Sequence, residues 1–138
     1  MTTTTTTPDI YQLSERFNRC FESFDAGDDL FADDTFFDFL PPLWRFQFQG
    51  SGSTFTDQLR SIAEGPSTVT IIRTLATESG FVTEHEERQD LGADEMVARR
   101  VWLCEVRDGR ITEVTGYCNG GWDAELRARH ATEAPMLR

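Results

Sequence analysis

The sequence predicts an α+β domain in which helices pack on one face of a curved, mostly antiparallel sheet. Three observations carry that prediction: helical periodicity dominates the first half, four long strand-like runs dominate the second, and the last two runs meet at Asp108-Gly109, a strong hairpin signal. A chain of 138 residues suits one domain with one sizeable core, and no internal repeat is visible. The expected organisation is a flexible leader at 1–8, a single domain at 9–130 and a tail at 131–138.

In chain order, Met1 to Thr7 is polar and of low complexity, with nothing to bury. Thr7-Pro8-Asp9 reads as an N-cap, a first-turn proline and a dipole-favoured acid. Ile10, Leu13, Phe17, Phe21 and Phe24 follow at helical spacing, with Gly27 as the expected C-cap. Asp28 can cap a short second helix through Phe31, after which Asp33-Asp34 turns into an apolar strand, Thr35 to Leu40, stopped by Pro41-Pro42. Leu43 to Gly50 alternates, placing Trp44, Phe46 and Phe48 opposite Arg45, Gln47 and Gln49. Ser53 or Thr54 can cap a third helix, whose stripe is Phe55, Leu59 and Ile62 and whose stop is Gly65-Pro66. Strands are expected at Thr68 to Ala76 and Phe81 to Leu91, then a turn at Gly92 to Asp94 and the closing hairpin from Ala98. After Gly120-Gly121, Asp123 caps a short helix toward His130.

The hairpin admits two registers. A two-residue turn puts Asp108-Gly109 at the tip, whereas a three-residue loop, Arg107-Asp108-Gly109, makes Gly109 the left-handed residue of a bulge. One residue of slip reverses which side chains share a face. In the three-residue version Arg100 lies opposite Gly116, Trp102 opposite Val114 and Ala98 opposite Cys118, leaving room beside a cation.

Composition excludes several function classes. Thirteen arginines and no lysine stand against 24 acidic residues, a formal charge of -11 that repels nucleic acid phosphates and anionic membrane surfaces. No apolar run approaches the roughly 18 residues of a spanning helix, so a soluble, cytoplasmic protein is expected. Cys20, Cys104 and Cys118 form no CxxC spacing and leave an odd thiol, which suits a reducing compartment and argues against structural zinc.

The order of elements, the run FDAGDDLFADDTFF (24–37), the segment FQGSGSTFTDQLRSI (48–62) and the closing EVRDGRITEVTGYCNGGWD resemble the nuclear transport factor 2-like superfamily in its SnoaL-like branch. The resemblance spans about 9–130 and implies a cone: a bent sheet wrapped around three helices, with a cavity between them. It also implies a range of activities, from polyketide cyclases, limonene-epoxide-type hydrolases and ketosteroid isomerases to non-catalytic binding or association domains, and the fold alone does not choose. Matched by position, the isomerase tyrosine and base are replaced by Cys20 and Phe39. His85 and Glu87 stand at the Arg-x-Asp pair of the epoxide hydrolases, and Gly116 at their second aspartate and at the cyclase carboxylate.

The chemistry that remains is His85 and Glu87, two apart on a strand and so on one face, where the carboxylate can hold the imidazole in one tautomer. With Arg100 as anion stabiliser, these three are the candidate catalytic groups of a cofactor-free cyclase, isomerase or hydrolase acting on an apolar oxygenated molecule. Phe37, Phe39, Trp102, Val114, Gly116, Tyr117 and Cys118 are the candidate pocket lining, and no metal site is expected. The competing reading makes Glu84 to Arg88 a solvated or dimer-facing strand and Arg100 a structural ion-pair partner. The helix-free face carries Val101 and Leu103, so a homodimer through the sheet is expected, with a small-molecule ligand and neither nucleic acid nor membrane as partner.

Overall fold

An apolar stripe on the first helix organises the interior. In this computed structural model, which describes residues 9–138, α1 spans Ile10–Ser23 and buries Leu13, Phe17, Cys20 and Phe21. The expected leader at 1–8, with its Thr7 cap and Pro8, lies outside the described residues. Asp9 is the N-cap, its carboxylate accepting from the Tyr11 N–H at 2.8 Å. The helix stops sooner than Gly27 suggests: Phe24 takes the left-handed conformation (φ 55°), and its N–H bonds to the Cys20 carbonyl. Arg60 stabilises this non-glycine cap by lying over the Phe24 ring and donating to its carbonyl at 2.9 Å.

The short helix expected from Asp28 to Phe31 is not formed. Strand β1 already begins at Phe31 and runs to Leu40, because the Leu30 carbonyl accepts the Ile111 N–H and ties the chain to the sheet. The remaining elements are β2 (Phe46–Gly50), α2 (Gly52–Ile62), β3 (Ser67–Ala76), β4 (Gly80–Asp90), β5 (Glu95–Arg107), β6 (Arg110–Cys118) and α3 (Ala124–Glu133). The N-cap of α2 is Ser51, ahead of both expected caps, Ser53 and Thr54. The α3 cap is Asp123, as expected, accepting from the Leu126 N–H at 2.8 Å.

The six strands form one sheet in the order β2-β1-β6-β5-β4-β3, antiparallel except where β1 runs parallel to β6. The α+β architecture is therefore the expected one, but only α1 and α2 fill its concave side, since α3 buries none of its residues. Phe17 is the centre of that core, with the rings of Phe21, Phe31, Phe55, Phe81 and Trp102 between 5.5 and 6.2 Å away. Each such ring contributes about 1.5–3 kcal/mol by leaving water. Burial pushes the Cys20 thiol up to about 12 and holds Cys104 well above its ordinary value, so both act as packing groups.

The closing hairpin starts in the two-residue register and then leaves both expected registers. Asp108 (φ 54°) and Gly109 (φ 75°) form a two-residue turn with Arg107 opposite Arg110, as a type I′ turn requires. Thr112 is then extra on β6, shifting the register by one and restoring the original sharing of faces. Beyond the bulge Trp102 faces Gly116, Arg100 faces Cys118 and Cys104 faces Val114, which corrects the expected pairing by two residues. Among the described residues no helix is long and apolar enough to cross a membrane.

Candidate functional site

Alternation along β4, β5 and β6 sends Glu87, Ala98, Arg100, Trp102 and Val114 toward the helices, and β1 and β2 add Phe37, Phe39 and Phe48. Between this surface and Phe55, Leu59 and Ile62 of α2 lies a cavity of about 490 Å³. Its walls are stacked aromatics: Phe37 lies nearly parallel to Phe48 and Phe55, and Phe39 to Trp102. Half-exposed Phe46 and exposed Ile62 line its outer part. Four of the expected lining residues, Phe37, Phe39, Trp102 and Val114, border this space.

Glu87 and Arg100 meet at the cavity wall. Arg100 Nη1 donates to Glu87 Oε1 at 2.6 Å, with side chains only 13% and 7% exposed. Phe21 covers the guanidinium from one side, 5.9 Å from ring centre to Cζ. Among the described residues this is the one ion pair whose two members both line the cavity. Asp38, at the cavity edge, is clamped from outside by Arg45 at 2.9 and 2.6 Å. That hydrogen-bonded guanidinium holds its carboxyl below the usual carboxylate range.

His85 stands elsewhere. It is fully buried and does not line the cavity, although it shares the inner face with Glu87. Its Nδ1 lies 2.8 Å from Asn18 Oδ1, and its Nε2 lies 3.3 Å from Trp102 Nε1 and 3.4 Å from Arg100 Nη1. Asn18 is positioned for this by donating its amide to the Ser14 carbonyl (2.8 Å) and Thr83 hydroxyl (3.1 Å). One arrangement satisfies every group: a neutral ring donating from Nδ1 to Asn18 and accepting at Nε2 from the indole and the guanidinium. Burial, reinforced by the charges of Arg100 and Arg19, pushes the imidazole down to about 3. The tautomer is thus set by Asn18, not by Glu87 as the spacing suggested, and the Nε2 lone pair is occupied.

Three other expected lining residues are displaced. Gly116 faces inward but is covered by Trp102, so that a Cβ there would fall inside the indole, and the room it leaves is taken by that ring instead of lying beside Arg100. Tyr117 points to the opposite face and is 51% exposed. Cys118 lies beyond the cavity, its Sγ 3.2 Å from the Gly120 N–H. Asn18 escaped sequence reading, yet a signal existed: Ser14 and Asn18 occur at i, i+4 within the buried stripe of α1, where a polar side chain needs a partner. Among the described residues no three His, Cys, Asp or Glu side chains gather into a set that could hold a metal.

No family model and no curated protein matches the chain. Solved structures do. An LEH-like epoxide hydrolase from M. tuberculosis superposes with a TM-score of 0.62 at 23% identity, over 80% of this chain and 78% of that one. A protein with a ketosteroid isomerase-like fold from Catenulispora acidiphila, in complex with trimethylamine, gives 0.60 at 17% identity, over 81% and 86%. An NTF2-like protein of unknown function from Cytophaga hutchinsonii gives 0.59 at 18%, over 79% and 95%. The chain has the nuclear transport factor 2-like fold, an α+β cone.

Proposed function

We propose that this protein is a cofactor-free enzyme, an isomerase or hydrolase, that acts on an apolar oxygenated small molecule in the aromatic cavity. The observation that carries the reading is the shielded Glu87–Arg100 pair on the cavity wall. A carboxylate accepting from a guanidinium is in the form that takes up a proton. Arg100 reaches Glu87 through Nη1 alone, leaving Nε and Nη2 to face a developing oxyanion on the ligand. In this mechanism Glu87 removes or delivers a proton, Arg100 stabilises the enolate or alkoxide, and the rings exclude water. His85 takes no proton and holds its neighbours in place.

The names of the structural neighbours supply two reactions to assay, epoxide hydrolysis and ketosteroid isomerisation. Glu87→Gln should lower turnover of whichever is catalysed on the order of 100-fold, as removal of a positioned acid–base group does. Equal turnover in the variant would remove Glu87 from the mechanism. A second reading, binding without turnover, is favoured by Gly116, which supplies no side chain at the position where the resemblance implies a second carboxylate. Ligand recovered unchanged after prolonged incubation would select it.

The convex sheet face extends the proposal to a homodimer. Phe36, Leu103 and Tyr117 are exposed there beside alternating Glu84, Glu86, Arg88 and Arg99, a self-complementary pattern that a two-fold axis would pair. Light scattering that finds only a 15.7 kDa species at all concentrations would refute it.

A further inference from the structure

We propose that Trp102 is the specificity-determining floor of the cavity: lying across Gly116 and tethered to His85, its indole limits how long a ligand the site accepts. The inference rests on the reading of the cavity as a small-molecule site only where it concerns ligand length; the geometry of the floor stands apart from that reading.

Trp102 is 4% exposed, and its ring occupies the volume that a side chain at 116 would otherwise take. Phe39 stacks on it with an interplanar angle of 10°, while Phe17 and Phe21 close in at 5.5 and 5.3 Å. The Nε1 bond to His85 Nε2 then selects one orientation of the ring among those that packing alone would tolerate. On the far side lies a hydrogen-bonded cluster of buried polar groups, His85, Asn18 and Thr83, which the cavity does not reach. Trp102, Arg100 and Phe21 form the partition, and Trp102 is the part that faces Gly116. A large residue therefore stands over a missing one, and their sizes together determine the depth.

The pairing makes predictions of opposite sign. Trp102→Leu should deepen the cavity toward Gly116, and Gly116→Ala should push the indole outward and shorten it. A residue that only stabilised the fold would weaken all ligands alike in both variants. Binding of methyl ketones with chains from hexyl to dodecyl, measured by calorimetry, separates these outcomes. In Trp102→Leu the preferred length should increase, each further methylene that enters the new space improving affinity roughly fourfold. In Gly116→Ala the preferred length should decrease.

Acylation of histidine by diethyl pyrocarbonate, located by peptide mass spectrometry, tests the partition without any ligand. In the native protein half-buried His130 should react and buried His85 should not. In Trp102→Ala, shown folded by circular dichroism, His85 should become reactive. Trp102→Leu serves if the alanine variant does not fold. Continued protection of His85 in a folded variant overturns the proposal, as does a preferred length that does not move. Newly reactive His85 with no ketone bound by any variant would keep the partition, while sinking both its role in ligand choice and the small-molecule reading.

Discussion

The two faces of the β4–β5 ribbon carry nearly the same residue types and behave differently. On the inner face Glu87 meets Arg100 at 2.6 Å with side chains 7% and 13% exposed, and His85 lies between them and the helix. On the outer face Glu86 contacts Arg88 at 2.9 Å and Arg99 at 3.3 Å, and those arginines are 48% and 52% exposed. Outside, water and salt screen each pair, and the ladder contributes little to stability. Inside, two charges have lost their hydration and depend on one another, so removing one strands the other. Alternation along a strand, rather than charge content, decides which carboxylate lines the cavity.

The sharpest way to break this contrast is to delete one cation from each face. Arg100→Leu should lower unfolding stability by about 3–5 kcal/mol, because it leaves Glu87 unpaired in a shielded site. Urea denaturation measures it, and a cost no greater than that of an outer arginine would abolish the distinction.

The next largest effect is on pH dependence. His85 has an ordinary value of 6.5 and is held at about 3 in the fold. Above 6.5 neither state binds the proton; below it the unfolded chain does and the folded one does not, so stability is lost as pH falls toward about 3. The slope should be about 1.4 kcal/mol per pH unit across that window. His85→Gln, followed by urea midpoints at several pH values, should flatten the profile above the carboxylate range.

A smaller loss is expected at the residue that orients the ring. Asn18→Leu leaves the His85 Nδ1–H without its acceptor and should cost about 1–3 kcal/mol. A neutral result would mean that the imidazole finds another partner. The smallest effect belongs to the outer face, where Arg99→Ala should cost less than about 1 kcal/mol and vanish in high salt.

How much of this was readable beforehand follows from the range of each interaction. The period of two puts His85 and Glu87 on one face in any strand, and the even-numbered set of β5 follows from the same rule. The aromatic walls at Phe37, Phe39 and Trp102 were readable as apolar positions in strands, and they do line the cavity. The partner of His85 was not readable, since Asn18 is 67 residues away and arrives only when α1 docks. The position of Trp102 was hidden for a different reason: it depends on Thr112 as the extra residue, which neither reading of the hairpin placed and which puts Gly116 opposite Trp102 rather than Arg100. Helix termini failed locally, at Gly27 and at Asp28 to Phe31, where contacts from Arg60 and Ile111 outweighed the caps.

Residue order alone determined the class of the fold, the approximate places of the strands and the alternation within each, because those follow from hydrophobic period and turn chemistry within a few residues. Packing decided which inward groups meet the cavity and which are sealed behind an indole. It did so because burial and hydrogen-bond satisfaction are properties of groups brought together from distant parts of the chain: Asn18 of α1 seals His85 in the interior, while Arg100 of β5 holds Glu87 at the cavity wall two residues away.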